Sequence, residues 1–137
     1  MGSKIRIREL KEINVNKGYL IDGFPSSGIS NAIATESMIQ TSKFELVGFI
    51  DSNNFPPISI IKNGKPSYPT RIFANEELNV SIFQSHLKIN ESLQREIAKT
   101  MLEWAKKHKI EWIVSSITIK STNKTKDIVA VGNTKFA

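Results

Sequence analysis

Cysteine is absent from the 137-residue chain, so disulfide scaffolds, thiolate zinc sites, iron–sulfur clusters and cysteine nucleophiles are excluded. Histidine is scarce: His86 and His108 are the only two, too few for a transition-metal site without thiolates. No apolar run approaches the ~18–20 residues that a bilayer span needs. The first residues, Met1 to Arg6, lack the apolar stretch of a secretory signal. Internal repeats and low-complexity tracts are lacking as well. These absences lead to the expectation of a cytoplasmic protein with no membrane partner.

What remains is ordinary globular material. Hydrophobic residues make up 39% of the chain and charged residues 23%, too apolar for general disorder. The length falls within the ~100–200 residues of a single domain, so residues 1–137 read as one unit. Nineteen basic against thirteen acidic side chains leave a formal charge of +6. Lys4, Arg6 and Arg8 fall at spacing two, which an N-terminal strand would show on one face. Lys106, Lys107, His108 and Lys109 end a helix, where cations complement the negative end of the dipole and His108 is expected in solvent. Lys120, Lys124 and Lys126 lie in a polar loop. A nucleic-acid groove interleaves exposed aromatics with basic residues. Here the two are largely separate, so nucleic acid is not an expected partner.

Periodicity then assigns the elements. Ile5 to Leu10 alternates apolar and basic residues, a half-buried strand. Tyr19-Leu20-Ile21 is a second, leading into the turn residues Asp22 to Gly28 and a helix from Ile29 to about Thr41. Ser26 or Ser27 would cap that helix. Phe44 to Ile50 reads as a strand, and Ile58–Lys62 and Ser67–Ala74 as a hairpin around Asn63-Gly64-Lys65-Pro66. Asn79 to Gln84 is another short strand. Asn90 caps a helix whose apolar stripe is Leu93, Ile97, Met101, Leu102, Trp104 and Ala105. Strands over Trp112–Ile119 and Asp127–Val131 complete the order. Strands interleaved with helices imply an α/β layered fold with a largely parallel or mixed sheet. Because the sequence stops just after a strand, one sheet face is expected to need a cover from another chain, or the sequence is a fragment.

Catalytic motifs are incomplete. Gly23-Phe24-Pro25-Ser26-Ser27-Gly28 has the glycine spacing of a phosphate loop, but Ile29-Ser30 stands where the lysine belongs. The plainer reading is a tight turn permitted by the glycines and stiffened by Pro25. A nucleophile elbow would need glycine two residues before Ser26, where Phe24 stands. His86 could meet Asp51 or Asp22 as an acid–base pair, or simply be hydrogen-bonded at a strand end. The segment Asp51-Ser52-Asn53-Asn54-Phe55-Pro56-Pro57 is of another kind: two prolines impose an extended path behind an aromatic. Phe55 either anchors an interface or folds back into its own core.

Together these segments resemble the proteasome assembly chaperone family, the archaeal and bacterial relatives of the eukaryotic proteasome assembly chaperone 2. Gly23-Phe24-Pro25 with Gly28 is similar to that family's G-F-P-G-x-G turn, with Ser26 where glycine is usual. Asp51-Ser52 with Phe55-Pro56-Pro57 matches its D-S-x-x-F-P-P segment. Asn63 to Pro66, Pro69, Arg71 and Ile72 follow its hairpin pattern, and Leu102-Glu103-Trp104-Ala105 its helix pattern. The resemblance implies a three-layer α/β/α sandwich with a mixed sheet, nucleoside phosphorylase-like, lacking the C-terminal half that family members carry. It further implies a non-enzymatic, self-associating protein that binds proteasome alpha subunits and uses no cofactor. Family members that engage the core particle use a C-terminal hydrophobic–tyrosine–any tail; here the chain ends Lys135-Phe136-Ala137. The expected contact residues are Phe24, Pro25, Gly28, Phe55, Pro56 and Pro57. The alternative is a nucleoside phosphorylase-like enzyme or phosphate binder. It would hold an anion at the Gly23–Gly28 loop and transfer a proton through Asp51 or His86.

Overall fold

The computed structural model describes residues 5–25, 30–53, 55, 59–116 and 131–133. β1 (Ile5–Glu9) and β2 (Tyr19–Gly23) precede α1 (Ser30–Thr41), which leads to β3 (Glu45–Ser52). β4 (Ile60–Lys62), β5 (Lys65–Ser67), β6 (Thr70–Asn75) and β7 (Val80–Ser85) follow, then α2 (Glu91–Lys107) and β8 (Trp112–Val114). Six strands form one sheet in the order β1-β3-β6-β7-β2-β8, and β4 and β5 form a separate pair. β2 runs parallel to both β7 and β8, while β1–β3, β3–β6 and β6–β7 are antiparallel. The sheet is therefore mixed, as expected from the interleaved elements.

α2 supplies one layer. Asn90 caps it by accepting from Ser92 N at 3.4 Å, Glu91 sits in the first turn, and Lys106 and Lys107 sit in the last. Its buried stripe of Leu93, Ile97, Met101, Trp104 and Ala105 packs onto Leu20, Ile72, Ala74 and Phe83 of the sheet. Each large side chain so buried contributes about 1.5–3 kcal/mol. Leu102, counted in the stripe from sequence, points to solvent. Phe83 and Trp104 meet edge to face with centroids 5.1 Å apart.

α1 lies on the opposite face. Successive strand residues point to opposite sides. Phe83 meets α2, while its neighbour Gln84 donates a hydrogen bond to Glu36 of α1. Close approach of α1 depends on Gly23: a Cβ there would stand 2.7 Å from Thr35 Oγ1 and 2.7 Å from the Phe83 carbonyl. The result is helix, sheet, helix.

Two expectations change. The hairpin is shorter than its sequence suggests: Asn63 and Gly64, at φ 53° and 75°, make a two-residue turn that pairs Ile60 with Ser67 and Lys62 with Lys65. Thr70–Asn75 is not its second arm but a central strand between β3 and β7. Tyr68, stacked on Phe49 at 3.7 Å, fastens the hairpin to the main sheet. The strand after α2 is assigned over Trp112–Val114; positions 117–119 and 127–130 of the two expected strands lie outside the described residues, and Val131 is in no strand. Among the described residues no helix is long and apolar enough to cross a membrane.

Candidate functional site

The turn after β2 begins at Asp22, whose Oδ1 accepts from Phe24 N at 3.0 Å, an Asx turn that ends the strand. Phe24 is 9% exposed and belongs to the core, while Pro25 is half-buried at the rim. Phe55 N bonds Ser52 O at 3.1 Å, and the ring lies half-buried against the core cluster. Of the two sequence readings for Phe55, this packing agrees with the ring folding back onto its own core, with part of it left accessible. Gly28, Pro56, Pro57, Ser26 and Ser27 lie outside the described residues, as do Lys135, Phe136 and Ala137.

On the α1 face the strands carry a cluster that sequence reasoning missed. Arg71 of β6 is only 8% exposed; its Nη2 donates to Gln84 Oε1 at 2.9 Å and lies 3.2 Å from His86 Nε2. Its guanidinium carbon sits 4.9 Å from the Phe73 ring centre. Gln84, fully buried, links Arg71 to Glu36, and His86 Nε2 is 4.0 Å from the Glu36 carboxylate. Burial lowers the Arg71 pKa from its ordinary value, and the Glu36 charge opposes that shift. Of the two sequence readings for His86, the plain hydrogen-bonded histidine at a strand end is the one seen, within this grouping and not with Asp51 or Asp22. Asp51 pairs with Arg6 at 3.7 Å, and Asp22 accepts from Ser115 Oγ at 2.8 Å.

At the β1 edge of the sheet, Glu9 gathers the end of α2. Lys107 Nζ lies 2.9 Å from Oε2, and His108 Nε2 2.6 Å from Oε1. His108 also rests on Trp104 with centroids 4.3 Å apart and has a side chain 12% exposed. It is not the solvated end-of-helix histidine that its basic neighbours suggest. Among the described residues no group of three or more His, Asp or Glu side chains is placed to hold a metal ion. Among the described residues the arrangement is a packed core with polar clusters that tie elements together.

Comparison with known proteins agrees with this arrangement. Pyrococcus furiosus PbaA, an archaeal homolog of proteasome-assembly chaperone, superposes with a TM-score of 0.72 at 26% identity, covering 90% of this chain and 53% of that one. Pyrococcus furiosus PbaB, an archaeal proteasome activator, shares the fold at TM-score 0.65 and 17% identity, covering 81% of this chain and 50% of its own. Uncharacterized protein MJ0106 of Methanocaldococcus jannaschii is 27% identical over 103 residues, 73% of this chain and 43% of that protein. The chain thus spans about half the length of these relatives. The model of the PAC2 family matches residues 20–136, from the second strand almost to the last residue, and the chain belongs to that family.

Proposed function

We propose that this chain is a non-enzymatic, cytoplasmic proteasome-assembly-chaperone-like protein that self-associates and binds proteasome alpha subunits. The observation that carries the reading is the likeness to PbaA across 90% of the chain at 26% identity. In this reading residues 1–137 form one domain with a nucleoside phosphorylase-like topology, and contact is made by shaped loops. The contact residues in this reading are Phe24, Pro25 and Gly28 in one segment and Phe55, Pro56 and Pro57 in the other. Phe24 lies in the core, so its ring is not what this segment offers a partner. Phe55 is already held against the core, so covering the rest of its ring on binding costs little side-chain entropy. The hairpin that follows it carries Ile61, 74% exposed, beside the same loop in sequence.

The test is co-purification of recombinant, unassembled alpha subunits with the tagged chain, run in parallel with Phe55→Ala. Retention by wild type and a several-fold loss in the variant are expected. No retention by either protein contradicts the reading, and equal retention by both removes Phe55 from the contact.

A further inference from the structure

The parallel strands β7, β2 and β8 lie side by side and end at the same edge of the sheet. There the chain leaves β2 for α1 on one face and β7 for α2 on the other. Neighbouring parallel strands whose connections part in this way leave a crevice beyond their carboxyl ends, where open α/β sheets hold ligands. In this protein the crevice is a pocket of about 270 Å³ whose lining includes Asp22, Phe24, Asn31, Ile97, Met101 and Ser115. Ligand pockets usually measure ~300–1,000 Å³, so this one suits a one-ring molecule and is too small for a dinucleotide.

The chemistry of its lining is one-sided. Phe24, Ile97 and Met101 give an apolar slot, with a polarizable thioether suited to an aromatic ring. Among the described lining residues Asp22 carries the only charge, and none is a lysine, arginine or histidine. Its Oδ1 accepts from Phe24 N at 3.0 Å and its Oδ2 from Ser115 Oγ at 2.8 Å. Each carboxylate oxygen has a second lone pair to offer. A full negative charge outweighs the roughly half positive charge at the nearby α1 N-terminus. An anionic ligand would therefore meet Asp22 with no cation among the described lining residues to offset it.

We propose that this crevice binds a small apolar amine, its ring or short branched chain in the slot and its protonated nitrogen on Asp22. The pocket borders the Phe24–Pro25 turn of the assembly reading, but the proposal does not rest on that reading and is tested without proteasome subunits. Phenethylamine, phenethyl alcohol and phenyl phosphate share a ring and differ in the charge of the head group. Each is titrated into isotopically labelled protein while the Met101 methyl and the Asp22 and Asn31 amide resonances are followed. The amine is expected to shift these resonances saturably, at least about fivefold more tightly than the alcohol, the factor ~1 kcal/mol of charge attraction provides. Phenyl phosphate is expected to leave them unmoved. Ala98→Phe, at an exposed position on α2 that borders the pocket, should fill the slot and abolish the shifts while the far-ultraviolet spectrum and melting curve stay as in wild type. Asp22→Asn should bring amine and alcohol to equal affinity. Equal binding of amine and phosphate, shifts that survive in a folded Ala98→Phe, or no shift with any of the three overturns the proposal.

Discussion

The indole Nε1 of Trp104 donates to Glu9 Oε1 at 3.1 Å, joining the second helix to the first strand across 95 positions of sequence. The same carboxylate is bonded to Lys107 and His108, so one side chain holds a helix end against an edge strand. Trp104 is 4% exposed and packs edge to face on Phe83. Trp104→Ala should therefore cost about 3–5 kcal/mol, read as a lower urea midpoint. Trp104→Phe, which keeps most of the ring area but loses the Glu9 bond, should lose markedly less.

The Glu9 clasp also predicts a pH dependence. Burial raises the carboxyl's pKa, but hydrogen bonds and charge from Lys107 and His108 outweigh this and hold it below the usual glutamate value. A pKa depressed by folding stabilises the protein above the unfolded value, ~4.3. That contribution fades as pH falls through the folded value. The melting temperature of wild type should decline through this acidic range more steeply than that of Glu9→Gln. At neutral pH the variant should be weaker by up to ~1 kcal/mol, as for a largely exposed pair. Below the folded pKa the two curves should converge.

Gly23 sets the distance between α1 and the sheet. Gly23→Ala places a methyl against Thr35 Oγ1 and the Phe83 carbonyl, each at 2.7 Å, and should destabilise by about 1–3 kcal/mol. Adding Thr35→Ala removes one of the two obstacles. The double variant should recover part of the loss in a denaturant titration, and strict additivity would contradict this packing.

Hairpin and core should respond separately. A Cβ at Gly64 meets nothing within 4 Å, but its φ of 75° disfavours a side chain there. Gly64→Val should accelerate amide exchange over 60–67 while leaving the melting temperature of the six-stranded sheet within about a degree or two, since surface changes usually stay within ±0.5 kcal/mol. A large fall in melting temperature would show that the hairpin is integral to the core.

Much of this was legible in the sequence. The α2 stripe, its Asn90 cap and the alternation of Ile5 and Ile7 with Arg6 and Arg8 are local signals, and the structure carries each of them. Sheet order was not legible, because β6 between β3 and β7 depends on contacts that no local pattern encodes. Ser67–Ala74 looks continuous and so reads as one hairpin arm, whereas Pro69 separates two strands of different sheets. The Arg71 cluster escaped notice for a related reason. A charged residue between Thr70 and Ile72 reads as outward-facing, but every residue of β6 is buried, and α1 brings Glu36 over Gln84. Fully covered strands lose the polar alternation that marks an exposed face.

Arg71→Ala follows from that cluster. It leaves the fully buried Gln84 without its 2.9 Å donor. The lost partner alone should cost about 1–3 kcal/mol, measured by urea unfolding. A change under a few tenths of a kcal/mol would mean that the network is not holding β6 to β7.

The central claim, that this chain acts by binding unassembled alpha subunits, is tested most directly by light scattering on a sizing column. The tagged chain is mixed with recombinant alpha subunits and the mass across each peak is recorded. The account predicts a shared peak whose mass exceeds that of either component run alone. Two peaks at the unmixed masses, across the concentration range in which both proteins remain folded, would contradict it.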